Sequence, residues 1–514
     1  MRSFSAYAAG DPSRVAIVDR DGSRITYAEL AGRADRLSRA IAAAGPGRPA
    51  TVAALLPNAA VMLLAERATL QLPTYFTPVN WHLTAGEAAY IIQDSAAELL
   101  LTAGEFLATA LAAADEAGLA RERVIVLDGA ARDGARTLAE FTAGQPATPP
   151  AGRSAGQRML YTSGTTGRPK GVRRRLPEVS PEKAAATVLA RAELYGAAHE
   201  DGTYLSVAPL YHAAPLAYAV QSLEAGHTVV MLPRWDPAEA LRAIAEHGVT
   251  WTYLVPLMFA ELLALEPGAR GAYDIGSLRS VVHTAAPCPE PLKRAMIEWF
   301  GPILAEIYGG TEGGATFIDS RDWLAHPGSV GRARAGVRLS VLDEAGTELG
   351  PGEIGTVYFS GPADFEYWND PDKTATTRTG GLTTLGDIGY LDEDGYLFLR
   401  DRASDVIVSG GVNIYPAEIE QVLLRHPGVA DVCVVGAPDE RWGERVFAAV
   451  VPRDGVPPSD ELARSIQDFL RERIAGYKVP RDIEFRSSVP RSEVGKLLRR
   501  GVREALWRDA GSRL

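Results

Sequence analysis

The densest chemistry in the chain lies in YTSGTTGRPKG, residues 161–171. Thr162, Ser163, Thr165 and Thr166 offer hydroxyl donors, while Gly164 and Gly167 let backbone N–H groups approach an anion closely. Lys170 adds a positive charge on a reachable stem. Such a stretch can wrap a polyphosphate; by composition alone it suits a flexible turn with a solvated lysine equally well. It is not a Walker A loop, because Pro169 stands where that motif needs its second glycine. Lysine is scarce, with six (Lys170, Lys183, Lys293, Lys373, Lys478 and Lys496) among 53 basic residues, so each merits scrutiny.

Three further blocks carry reactive groups. In EIYGGTEGG, residues 306–314, Tyr308 can stack on a purine ring, and Gly309 and Gly310 keep the backbone open. Thr311 can bond a phosphate or acyl oxygen, and Glu312 can ligate a hard cation such as Mg2+. Alone, the block also reads as a Gly-rich turn. In the segment 383–420, Asp387 can accept both hydroxyls of a ribose and Arg402 can donate to sugar or phosphate; a turn aspartate in a β-meander is the plainer reading. In PRSEVGKLLRR, residues 490–500, Lys496 reads as either a solvated helix end or an active cation. PLYHAAP, residues 209–215, holds Tyr211 and His212; the other seven histidines show no ligand spacing. Arg173, Arg174 and Arg175 read best as a solvated charge run.

These groups need a scaffold. Helical periodicity at Leu30, Ala34, Leu37 and Ile41, followed by short apolar runs at 51–56, 98–102 and 124–127, predicts alternating helices and strands and a mostly parallel sheet. The alternation resumes from 158 to about 320, with strands expected at 204–208, 227–232, 251–255 and 280–284. Residues 129–157 look like a surface connection, and Gly-punctuated runs over 330–400 predict antiparallel β-structure. Beyond 401 an amphipathic helix is expected with Ser459 as its N-cap. That tail carries about one net positive charge against about minus twelve before it, which places a domain boundary near 401–405.

The chain's 514 residues imply two to four domains, and its net charge of -11 argues against a general nucleic-acid binder. Two cysteines, Cys288 and Cys433, exclude a disulfide framework. The start lacks a signal-peptide core and no window reaches the length of a membrane span, so a cytoplasmic protein is expected.

The four blocks occur, in this order and over nearly the whole chain from ITYAEL to GKLLRR, in a pattern that resembles the acyl-adenylate-forming superfamily, closest to the acyl-CoA synthetases. The resemblance implies an α/β fold. A large N-terminal domain, 1–401, would combine α/β subdomains with a β-rich one, and a small mobile α+β domain, 402–514, would carry the catalytic lysine. It implies ATP, Mg2+ and coenzyme A. Thr162 to Gly167 and Lys170 would hold the phosphates, with Ala285, Ala286 and Pro287 as the wall opposite adenine. Ile307, Tyr308, Gly309, Gly310 and Thr311 would line the nucleotide, Asp387 and Arg402 its ribose and phosphate, and Glu312 the metal. Lys496 would bridge the α-phosphate and the acyl carboxylate. Tyr211, His212, Tyr253 and Gly313 would form the acyl pocket, with His212 beside the carboxylate. Ser404 would be the interdomain hinge, and Ser409, Gly410 and Gly411 would line the pantetheine tunnel after rotation.

Departures from the family pattern fall at His283 and Thr284, where glycine is usual nearby, at Leu385, where threonine is usual, and at Ser404, where Asp or Lys is usual. The implied reaction joins a carboxylic acid to AMP with loss of pyrophosphate, then passes the acyl group to coenzyme A. The spacing of the third and fourth blocks, with no carrier domain expected after residue 514, favours a free-standing CoA ligase. Loading of a separate carrier protein is one alternative, and activation of another acid, such as nitrite for diazotising an aryl amine, is a second. A non-catalytic scaffold would need motif decay, yet Lys170, Glu312, Asp387, Arg402 and Lys496 are all present.

Overall fold

The structure is a computed structural model that describes residues 3–45, 50–162, 169–197, 201–360, 365–410, 412–439, 441–492 and 495–509. Two largely parallel sheets form its larger part. In the six-stranded sheet Thr51–Leu55 lies between Tyr75–Pro78 and Ala97–Ala103, followed outward by Val124–Asp128. The nine-stranded sheet sets Thr203–Ser206, Thr228–Met231, Trp251–Leu254, Ser280–His283 and Leu304–Gly310 in parallel contact, and turns antiparallel at Gly313–Asp319.

Strand alternation explains how the sheets are covered, since successive side chains point to opposite faces. Val52 and Ala54 join a core shared with Leu205, Val230 and Val282 of the other sheet. Ala53 and Leu55 face the other way, onto the helices Ala85–Asp94 and Leu107–Ala117. The helix Tyr27–Ala43 starts at a capping box in which Thr26 and Glu29 satisfy each other's backbone N–H. The expected surface connection, 129–157, does carry exposed turns, but it also adds the short edge strand Arg136–Thr137 and the helix Leu138–Phe141.

From 339 the architecture is antiparallel, as the glycine punctuation predicts: Leu339–Leu342, Gly355–Phe359, Leu382–Leu391 and Leu397–Arg402 pair in turn. The last strand runs out at Arg402. The next sheet, built on Val429–Asp439 and Gly443–Pro452, has its own core with Ile419, Ile466 and Leu470 from its helices. Ser459 caps Asp460–Arg471 by accepting from Leu462 N. Among the described residues no helix is long and apolar enough to cross a membrane.

Candidate active site

The strands Leu160–Thr162 and Lys170–Arg174 pair antiparallel, with Thr162 opposite Lys170, and so frame the Ser/Thr/Gly loop. Ser163, Gly164, Thr165, Thr166 and Gly167 themselves lie outside the described residues. On the other edge of this small sheet runs Phe365–Tyr367, and just beyond it Asp370 pairs with the Lys170 ammonium. That ion pair, with the Lys373 backbone N–H, holds the Asp370 carboxyl below its ordinary range. Of the arginine run expected to be solvated, Arg175 is exposed, but Arg173 and Arg174 are drawn in. The Arg173 guanidinium sits 4.3 Å from the Tyr75 ring centroid and 3.8 Å from that of Trp368, and Arg174 donates to the Thr311 carbonyl at 3.0 Å. Strand pairing on both sides draws these side chains inward.

Tyr308 stands near the end of Leu304–Gly310, and its hydroxyl donates to Asp387 Oδ2 at 2.7 Å. Asp387 also lies 3.2 Å from Arg402 Nε, its partner in the adjoining ladder. Burial pushes the Asp387 carboxyl above its ordinary range, against the pull of Arg402, the Tyr308 hydroxyl and Lys496. Glu312 follows in the hairpin turn, where its Oε1 accepts the Tyr367 hydroxyl at 2.7 Å. A Cβ at Gly310 would lie 2.8 Å from both Glu312 Oε2 and Leu385 Cδ2, so those side-chain ends would have to shift to admit one. The apolar Leu385 thus fills space beside the glycine turn. Ile307 pairs across the hairpin with Phe317, and Gly309 is exposed.

Ala285 and Pro287 are exposed on the segment that leaves Ser280–His283, with Ala286 half-buried between them. Ala285 has φ +77°, a conformation that suits glycine. An alanine therefore holds this position under strain.

Lys496 is presented by a tight loop. Ser492 N donates to the Lys496 carbonyl at 2.8 Å, and Lys496 N donates to Ser492 Oγ at 3.1 Å. Arg491 anchors the loop by a two-pronged pairing with Asp431 and a bond to the Gly495 carbonyl. Gly495 has φ +71° and rests on Leu257 of the large domain, where an added Cβ would come within 2.8 Å of Leu257 Cβ. Burial, and then the Arg402 charge, lower the Lys496 pKa to about 8, while Asp387, Asp405 and Glu312 partly counter them. Lys496, Arg402, Asp387, Tyr308 and Glu312 therefore share one electrostatic neighbourhood, although the motifs that supply them span nearly two hundred positions.

The remaining expected residues lie elsewhere. The Tyr211 and His212 rings are 4.5 Å apart, and the Trp81 ring meets Tyr211 edge-on at 4.5 Å. His212 precedes the helix Ala213–Glu224; burial lowers its pKa to about 4, and its buried Nε2 has no hydrogen-bond partner among the described residues. Tyr253 is buried against Tyr218 in an aromatic cluster with Trp251. Gly313 has φ +135°. Ser404 is exposed between the last large-domain strand and the small sheet, and its carbonyl accepts from Arg503. Ser409 and Gly410 begin the turn between Ile407–Ser409 and Val412–Ile414, with Gly410 N donating to the Trp442 carbonyl; Gly411 lies outside the described residues.

Tyr367 and Asp370 are absent from the sequence-based site. Their one signal is that Asp370 precedes Pro371 as a helix cap, which says nothing of Lys170. Arg499 is another omission: it reaches Glu420 at 2.5 Å, Asp405 at 3.1 Å and Asp401 at 3.7 Å, linking the strand Leu397–Arg402 to the helix Pro416–Leu423.

Residues 4–367 match the AMP-binding enzyme family and residues 418–496 the AMP-binding enzyme C-terminal domain. The chain is 36% identical to the fatty acid–[acyl-carrier-protein] ligase ScoC of Streptomyces coeruleorubidus, over 100% of this chain and 98% of that protein. It is 35% identical to a feruloyl-CoA synthase of Amycolatopsis, over 95% of each. The crystal structure of ATP-bound MatB from Rhodopseudomonas palustris superposes with a TM-score of 0.84 at 29% identity, over 99% of both chains. The chain therefore belongs to the AMP-binding, acyl-adenylate-forming enzyme family.

Proposed function

We propose that this AMP-forming acid–thiol ligase activates a carboxylic acid as its acyl adenylate and transfers the acyl group to the thiol of coenzyme A. The carrying observation is that Lys496 of the small domain stands within reach of the charges of Asp387 and Glu312 in the large one and of Arg402 at the boundary between them. A carboxylate is a poor electrophile because its departing oxygen is a bad leaving group; coupling to AMP removes that obstacle.

In this reading the Lys170 loop takes the outer phosphates, and Lys170 exchanges Asp370 for them. Tyr308 stacks on the base. Asp387 holds the ribose and Arg402 donates to sugar or phosphate. Lys496 lies between the α-phosphate and the acyl carboxylate and offsets the charge that gathers as they join. Neutral His212 borders the carboxylate site without repelling or pairing with the acid.

Glu312 suits a hard dication. Its Oε1 is oriented by Tyr367, and among the described residues no group of three His, Cys, Asp or Glu side chains is placed to hold a metal. Mg2+ bound there would draw its other oxygens from phosphate and water, and it would screen phosphate charge.

The domains 1–401 and 402–514 then rotate about the exposed Ser404, which withdraws Lys496 and brings the Ser409–Gly410 turn to the adenylate. The carrier-protein ligase among the relatives supports a second reading, in which the thiol belongs to a carrier protein. Pyrophosphate release measured over fatty, aryl and amino acids, with coenzyme A, with carrier protein and with neither, tests both. Acid-dependent release enhanced by coenzyme A supports the first reading, and enhancement by carrier alone the second. No release with any acid refutes adenylation.

A further inference from the structure

Lys293 is one of the chain's six lysines and is fully buried on the helix Glu290–Phe300. Its Nζ lies 2.5 Å from Glu306 Oε2 and 4.9 Å from the Trp323 ring centroid. His283, also fully buried, has its Nε2 3.7 Å from the same carboxylate oxygen, and burial holds its pKa well below the ordinary value, so the ring is neutral. A buried ion pair is a weak source of stability, because desolvating two charges offsets their attraction. Its position in the fold gives it another use.

His283 and Glu306 are opposite one another in parallel strands. The chain leaves the first strand into Thr284–Pro287, where Ala285 is held at positive φ. On the second strand, Tyr308 is two residues beyond Glu306 in unbroken register, so both side chains leave the same face. The helix Glu290–Phe300 begins just beyond Pro287, and its Lys293 ammonium ties it to the strand that carries Tyr308, so the pair joins the elements on either side of the proposed adenosine site.

We propose that Lys293 is a positioning residue whose pairing with Glu306 sets the gap between the Ala285–Pro287 segment and the Tyr308 ring, and with it nucleotide affinity. This rests on the adenylate-forming reading above. Neither side chain touches the nucleotide; each acts through the backbone that carries the groups that do.

The test uses the full chain and the double variant K293M/E306Q, which removes both charges at nearly constant volume. AMP affinity is measured by titration calorimetry, thermal unfolding on the same samples, and kcat and KM by pyrophosphate release. The expected result is a folded protein whose AMP Kd and ATP KM rise about tenfold, with kcat and the KM for the acid held within about twofold. A purely structural role would not split ATP KM from kcat and acid KM in this way. A double variant that binds AMP as the parent does, or one that fails to fold, overturns the proposal, since the pair then serves the fold alone. A parent chain that binds no AMP refutes the functional reading instead.

Discussion

Tyr367 donates its hydroxyl to Glu312 Oε1 at 2.7 Å, from a strand that lies beside the phosphate-loop frame. Burial, and then the Glu312 charge, raise the Tyr367 pKa, so the phenol stays protonated and keeps donating. It fixes one carboxylate oxygen and leaves the other to a cation. Loss of an outer partner of this kind costs about 10–100-fold in metal affinity or activity. Tyr367→Phe should therefore raise the Mg2+ concentration for half-maximal adenylation by about tenfold at saturating ATP, with little change in the KM for the acid. A Mg2+ titration of pyrophosphate release checks this; an unchanged midpoint would show that Glu312 needs no orientation.

Lys496 must be charged to bridge two anions, and burial with Arg402 nearby lowers its pKa to about 8. The sign follows directly: the ammonium is present below that pH and is lost as pH rises through it. In the free enzyme, kcat/KM for adenylation should fall on the alkaline side with a midpoint near 8, approaching about tenfold per pH unit beyond it. Lys496→Arg keeps its charge throughout and should show no such limb, at a lower absolute rate. A parent profile that stays flat well above the midpoint, or the same limb in the arginine variant, would detach the limb from Lys496.

Much of this site was legible from spacing, because Tyr308, Glu312, Asp387, Arg402 and Lys496 sit in compact blocks whose residue types match one reaction. The alternation of helix and strand was legible too, since buried parallel strands such as Thr51–Leu55 read as short apolar runs. The partners were not. Tyr367 meets Glu312 across 55 positions and Asp370 meets Lys170 across 200, and no local pattern encodes such distances. Arg173 and Arg174 misled for a related reason: three consecutive arginines look solvated until strand pairing places rings and a carbonyl over two of them. The strain at Ala285 was invisible because backbone angle has no signature in composition.

That strain can be tested. A non-glycine residue in the left-handed region costs about 1–2 kcal/mol, partly offset by the greater unfolded-chain entropy of glycine. Ala285→Gly, at φ +77°, should leave the protein as stable or up to about 1 kcal/mol more stable. Equilibrium unfolding in urea provides the measurement. A clear loss of stability would mean that the Ala285 methyl makes contacts worth more than the strain.

Under the proposed two-position cycle, Gly495 would separate the two half-reactions. Its φ of +71° and its seat on Leu257 belong to the arrangement that places Lys496 in the site. An alanine there would meet both a disfavoured backbone and the Leu257 side chain, so the loop could not dock without displacement. A penalty of about 1–3 kcal/mol, falling on this arrangement alone, converts to roughly 5–150-fold. Gly495→Ala should slow adenylate formation by that factor and leave thiol transfer from premade acyl adenylate nearly unchanged, because in that cycle rotation would lift the loop off Leu257. Lys496→Ala should show the same split more severely, having lost the charge itself. Removing that Cβ with Leu257→Gly in the Gly495→Ala background should recover part of the adenylation rate while the backbone strain at 495 persists. Equal losses in both half-reactions would mean that the loop never leaves Leu257, and the two-position cycle would have to be abandoned.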